Sequence, residues 1–235
     1  MILNLLFQFF SGNGDLRVLV LTLLVSIMTI LPALTIHEWA HGFMAYKLGD
    51  NTAKADGRLS LNPLDHLDPV GSLLLLLVGF GWAKPVPVNT RHFKKPRRDF
   101  ALVSLAGPLS NFISALISAL VFGSLYGICA KAGVSEALLL VIEMFMQASI
   151  VYNVGLGLFN LIPLPPLDGS NILICILPNH LAAKYAQLRH YTHYIFIALI
   201  LLMRLSIFDN LLPIEPLVNL FWNLAFKLAS FFYFL

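Results

Sequence analysis

His37-Glu38-Trp39-Ala40-His41 puts two imidazoles four residues apart, with a carboxylate directly after the first. On a helix, residues four apart lie about 40° apart around the axis, so both rings can reach one tetrahedral cation while the glutamate stands beside a water bound to it. Two neutral nitrogen ligands and a base are the parts of a metal-assisted hydrolytic centre. With seven histidines in 235 residues, composition alone would produce this pattern in roughly four chains per thousand. The plain alternative is a pair of buried histidines bonded to neighbouring helices beside a neutral acid. In lipid that alternative is costly, because each ionisable group there needs a metal or a partner to offset its burial.

A catalytic zinc takes three protein ligands and keeps a fourth position for water, so a third ligand is required. The other acids in or beside apolar segments are Glu136 and Glu143 on one helix, Asp168 in a turn, and Asp209 and Glu215 in a loop. Asp168 is the best candidate. Asn160-Leu161-Ile162-Pro163-Leu164-Pro165-Pro166-Leu167-Asp168-Gly169 ends a helix and holds a carboxylate in irregular backbone at membrane depth, which is tolerated only where protein buries it or it lines a watery cavity. Its alternative role is the N-cap of a helix over residues 169–177. A set of two histidines and a carboxylate suits several divalent ions, zinc foremost.

Asn111 could point an amide at the scissile carbonyl or the oxyanion, or equally make an interhelical hydrogen bond. It follows a Gly107-Pro108 break in a helix whose Ser110, Ser114 and Ser118 share one face, and these small residues predict close approach to a neighbour. Asn160, in the Asp168 segment, and His66, in Asn62-Pro63-Leu64-Asp65-His66, are the further candidates for substrate contacts; for His66 the default is a surface loop histidine. His180, His190 and His193 lack the spacing of a second site and receive no function. Cys129 and Cys175 sit singly in apolar stretches and read as packing residues.

The elements that must position these residues are membrane elements. With 58% hydrophobic and 11% charged residues, the chain cannot hide its apolar surface in a soluble core. A long helix over residues 17–47 carries the histidine motif, and residues 48–68 form a surface loop. Val70 to Trp82 is too short to cross and dips into the membrane. Lys84-Pro85-Val86-Pro87-Val88-Asn89 is extended, since its prolines allow only an edge strand. The basic run Arg91, Lys94, Lys95, Arg97 and Arg98 makes the next loop cytoplasmic. Spans over residues 100–130, 136–161, 194–208 and 216–235 follow, with an acidic turn from Asp209 to Glu215 outside. This topology sets the histidine motif and Asp168 in the cytoplasmic half of the bilayer of the cell (inner) membrane. The net charge of +3 implies no nucleic-acid partner. The expectation is one integral-membrane domain over residues 1–235, with a catalytic core at about 17–177 and C-terminal helices at about 190–235.

Together, His37-Glu38-Trp39-Ala40-His41, Asn160-x-x-Pro163-x-x-x-Leu167-Asp168-Gly169 and the intervening Ala106-Gly107-Pro108-Leu109-Ser110-Asn111 resemble the site-2 protease family of intramembrane metalloproteases, peptidase family M50. The resemblance runs from the first long helix to Gly169. It implies an all-α polytopic membrane fold with a small membrane-embedded β element at Trp82 to Asn89. It also implies zinc on His37, His41 and Asp168, Glu38 as general base, and transmembrane segments as substrates. The chain is similar to the minimal members, without PDZ or CBS domains. A substrate helix must unwind before attack, and the Pro85–Pro87 edge offers pairing by β-addition. Two other classes compete: a divalent-metal transporter, which needs further ligands along a pore, and a non-catalytic relative that only holds membrane segments, for which Glu38 would be unnecessary.

Overall fold

Apolar runs long enough to span a bilayer become the long helices of this chain. The computed structural model describes residue 7 and residues 9–12, 14–78, 82–204 and 212–234. Among these the helices are α1 (Leu16–Lys47), α2 (Thr52–Ala55), α3 (Pro63–His66), α4 (Pro69–Val78), α5 (Pro96–Lys131), α6 (Glu136–Asn160), α7 (Asp168–Ile176), α8 (Asn179–Ala186), α9 (Thr192–Arg204) and α10 (Ile214–Phe234). Helices α1, α5, α6 and α10 are long and apolar enough to cross a membrane. The protein is therefore an all-α polytopic membrane protein. Exposed Leu109, Ile113, Leu116, Ile117, Leu120 and Val121 on α5 form a lipid-facing surface that water would not tolerate.

Local chemistry sets the helix ends. Asp15 accepts the Arg17 N–H at 2.7 Å to open α1, and Gly49, at φ 105°, turns the chain after it closes. Pro96 begins α5, where its missing N–H costs nothing. Pro108 lies inside α5, which runs through it without interruption, so the expected Gly107-Pro108 break is absent.

Helix α5 is the hub, packing on α1, α6, α7 and α10. Its buried stripe is Asn111, Ala115, Ala119, Gly123 and Gly127, at four-residue spacing. Ala115 and Ala119 meet Met146, Ile150 and Val154 of α6 and Ala225 of α10 in one apolar core. Added methyl groups on Gly123 and Gly127 would collide with the Ala225 and Ala229 backbone, so these helices touch main chain to main chain. The close-approach face is this alanine and glycine stripe rather than the serine face, because Ala and Gly carry no hydroxyl that needs a partner.

Among the described residues there is no β-sheet. The expected β element reduces to one antiparallel bridge, Leu67 with Ala83, followed by Lys84–Asn89, which holds neither helix nor strand and is kept extended by its two prolines. Pro85 and Pro87 have no N–H to give, which prevents a regular ladder. The segment expected to dip into the membrane holds α4, with residues 79–81 outside the described residues. Within the span expected over 194–208 the described residues form α9, and its residues 205–208, with residues 209–211 of the acidic turn, also lie outside them.

Candidate metal centre and active site

Two helices bring three potential ligands together from distant parts of the chain. His37 and His41 lie on successive turns of α1, and Asp168 opens α7. Their Nε2 atoms are 3.1 Å apart, and each lies 3.2 Å from Asp168 Oδ2. Asp168 caps nothing through its side chain; it faces the two rings instead.

The hydrogen bonds behind the rings determine what they present. Asn111 donates its Nδ2 protons to Ala33 O at 3.2 Å and Asn153 Oδ1 at 3.0 Å, leaving its Oδ1 as an acceptor. His37 Nδ1–H therefore donates to Asn111 Oδ1, at 2.7 Å. His41 Nδ1 sits 2.7 Å from the Val103 carbonyl, which can only accept. Both Nδ1 atoms thus carry hydrogen, and in the neutral rings both Nε2 atoms present lone pairs. Those two lone pairs and a buried carboxylate oxygen with no hydrogen-bond donor of its own converge within 4.8 Å. Such a set repels itself unless a cation joins it, and it fits a divalent metal with each ring oriented by a partner on its far nitrogen. Among the described residues, no second group of three such ligands occurs.

Glu38 lines the same cavity, whose volume is about 990 Å³. Its Oε2 accepts the Val86 N–H at 3.0 Å, tying the carboxylate to the extended segment. Val86 and Val88 from that segment, Trp82 just before it, Tyr152 and Phe159 from α6 and Phe196 from α9 also line the cavity. Its walls are thus mostly apolar, with His37, Glu38, His41, Asp168 and His193 as the ionisable groups among them.

Close backbone contacts hold the site. A methyl on Gly107 would overlap the His37 and His41 rings, and one on Gly169 would overlap the Leu161 and Ile162 carbonyls. Only glycine lets α5 approach the rings and α7 start so near the end of α6. Arg97, at the start of α5, donates to Ile174 O at 3.0 Å, to Leu177 O and to Asn179 Oδ1 at 2.7 Å. It thereby satisfies carbonyls at the end of the helix that carries Asp168.

The structure brings His37, Glu38, His41 and Asp168 together, and Asn160 lines their cavity. Asn111 does not line it: this residue is 0% exposed, and its amide is committed to His37 and to two acceptors. His66 also stays outside. Buried, it donates Nε2–H to Ser60 O at 2.7 Å, and its carbonyl accepts the Lys84 N–H at 2.8 Å. Two residues passed over in the sequence belong here. Asn153 is a buried amide on an apolar span, a pattern that itself marks a functional or bonded position. His193, on α9, lines the cavity, and no motif signalled it.

The profile of peptidase family M50 matches residues 127–203, which include Asp168. Three relatives share the name "Putative zinc metalloprotease". YwhC of Bacillus subtilis is 47% identical over 175 residues, 74% of this chain and 78% of the relative. Rip2 of Mycolicibacterium smegmatis is 28% identical over 152 residues, 61% of this chain and 53% of its own. Rip2 of Mycobacterium tuberculosis is 32% identical over 149 residues, 59% of this chain and 52% of its own, so the chain spans about half the length of either Rip2. No solved structure matches the chain. The identity to YwhC, over about three quarters of both proteins, joins the profile match in showing that this chain belongs to peptidase family M50.

Proposed function

We propose that this chain is an intramembrane zinc endopeptidase that cuts membrane-spanning segments of other proteins, with His37, His41 and Asp168 as metal ligands and Glu38 as general base. As a member of family M50 with four spanning helices, it is a multi-pass membrane metalloprotease. One observation carries the assignment of residues: three ligand atoms converge within 4.8 Å, with both histidines turned lone pair inward. Zinc bound there would polarise a peptide carbonyl and lower the pKa of its water toward neutrality. Glu38, anchored through Oε2 by Val86, keeps Oε1 to take a proton and return it to the leaving amine. Asn111 supports the site by orienting His37.

The substrate is an unwound transmembrane segment held beside the extended chain Lys84–Asn89. In extended backbone the main-chain groups of Val86 and Val88 face one edge, and both residues line the cavity. Pro85 and Pro87 leave the opposite edge without donors, and the Val86 N–H is held by Glu38, so pairing uses the Val86 carbonyl and the main-chain groups of Val88. The basic run from Arg91 to Arg98 supports a cytoplasmic loop, and with it a site in the cytoplasmic half of the cell (inner) membrane. Residues 17–177 act as the catalytic core within one membrane domain.

The test is to incubate purified protein with a panel of transmembrane peptides, with and without a chelator, alongside Glu38→Gln. Cleavage is expected only from the metal-loaded wild type. Cleavage that survives chelation or Glu38→Gln would refute the assignment, and zinc uptake into vesicles without proteolysis would favour transport.

A further inference from the structure

We propose that Asp50 is a positioning residue for Glu38, acting through the extended segment Lys84–Asn89; this rests on the reading of Glu38 as the base. Asp50 follows the end of α1, is 0% exposed, and does not line the cavity. Its carboxylate receives the Thr52 N–H at 3.1 Å and the Thr52 hydroxyl at 2.5 Å. From the far side it receives the Asn89 N–H at 2.7 Å on Oδ2 and His92 Nδ1–H at 2.7 Å on Oδ1. One ionised side chain thus fastens the end of the extended segment to the end of the helix that bears His37, Glu38 and His41.

The other end of the segment is fastened separately. Lys84 N–H donates to His66 O at 2.8 Å, and Arg58 donates to the Lys84 and Pro85 carbonyls at 2.8 and 3.2 Å. Val86, between the two anchors, gives its N–H to Glu38. A segment with one bridge and two prolines has no ladder to fix its register, so the anchors must do so. Asp50 suits this task because only a carboxylate accepts at both oxygens, and its charge strengthens each bond. A slip at Asn89 would move the Val86 N–H and carry the Glu38 carboxylate away from its position beside the ligands. A displacement of about 1 Å at a reacting group is enough to cost a large part of the rate.

The test is a double-mutant cycle on the full-length, zinc-loaded protein with a cleaved transmembrane peptide. Asp50→Asn weakens the anchor, and Val86→Pro deletes the N–H that holds Glu38. Each is expected to lower kcat about tenfold or more, with KM changed less than about twofold and zinc content unchanged. The double variant should be no slower than the slower single variant, since both act along one path. Effects on kcat that multiply, or wild-type kcat in Asp50→Asn, would overturn the proposal. If Asp50→Asn does not fold, His92→Ala carries the same cycle. Its half-exposed ring gives Asp50 one bond, and its expected loss is about threefold, again not multiplying with Val86→Pro. Cleavage that survives Glu38→Gln would instead overturn the base assignment, a result separate from the cycle.

Discussion

His37 and Asn111, 74 positions apart, share a 2.7 Å hydrogen bond that decides which nitrogen of the imidazole faces the ligand cluster. Asn111 makes this bond only because Ala33 and Asn153 take both of its amide protons. Asn111→Ala is therefore expected to lower zinc affinity by about 10–100-fold, the range seen when the partner behind a metal-bound histidine is lost. Competition with a chromogenic chelator measures it. Affinity equal to wild type would show that the ring needs no such partner.

Gly107→Ala sets two opposing effects against each other. Alanine in a helix is favoured over glycine by about 1 kcal/mol, yet the new methyl would overlap both ligand rings. The steric effect is expected to dominate at the site. Purified Gly107→Ala should retain helical circular dichroism while losing bound zinc and cleavage together.

Asp168→Asn keeps the size of the side chain and removes its charge. On the proposed assignment it leaves two neutral imidazoles and a weak amide ligand, and the protein should lose its metal on gel filtration. Glu38→Gln should keep it. Equal zinc content in the two variants would contradict the division of roles between ligand and base.

Asp50 gives a pH dependence with a defined sign. Burial pushes its carboxyl pKa up, but hydrogen bonds from Thr52, His92 and Asn89 outweigh this and hold it below the ordinary range. A carboxyl depressed in the folded state contributes stability that is present above its unfolded value, near pH 4, and is lost as pH falls through the folded value. The thermal unfolding midpoint in detergent should thus fall as the pH drops below about 4, and Asp50→Asn should show a shallower fall. Parallel acid limbs in the two proteins would remove Asp50 from the account.

Gly123→Val tests the packing of α5 on α10. Its side chain would press into the Ala225 backbone, and overpacking of this kind costs about 1–3 kcal/mol. The expected result is a lower Tm than wild type, while Leu125→Val on the exposed face leaves Tm unchanged.

The sequence spoke most clearly where chemistry restricts residue type or the bilayer restricts length. Ligation narrows the choice to histidines and carboxylates, so the grouping of His37, His41 and Asp168 is legible, and lipid demands long apolar runs, so α1, α5 and α6 are too. Helix phase was legible, but the partner of each face was not. The serines of α5 suggest its close face, although Asn111, Ala115, Ala119, Gly123 and Gly127 repeat every fourth residue just as visibly. Asn111 was weighed between substrate and helix contact, because spacing along one helix carries no information about Ala33 or Asn153 on two others. The prolines correctly indicate a segment without helix. The network through Asp50 was missed, since it depends on a loop folding back on residues some forty positions away.

The ligand set also has an order in time. The ribosome delivers His37, Glu38 and His41 with the first long helix, whereas Asp168 emerges only after α5 and α6 have been made. On the proposed assignment, the nascent chain enters the bilayer carrying an incomplete centre that grips metal weakly. On that same assignment the hydrolytic centre is complete only once α7 has docked, so assembly of the membrane core is itself the step that switches the chemistry on.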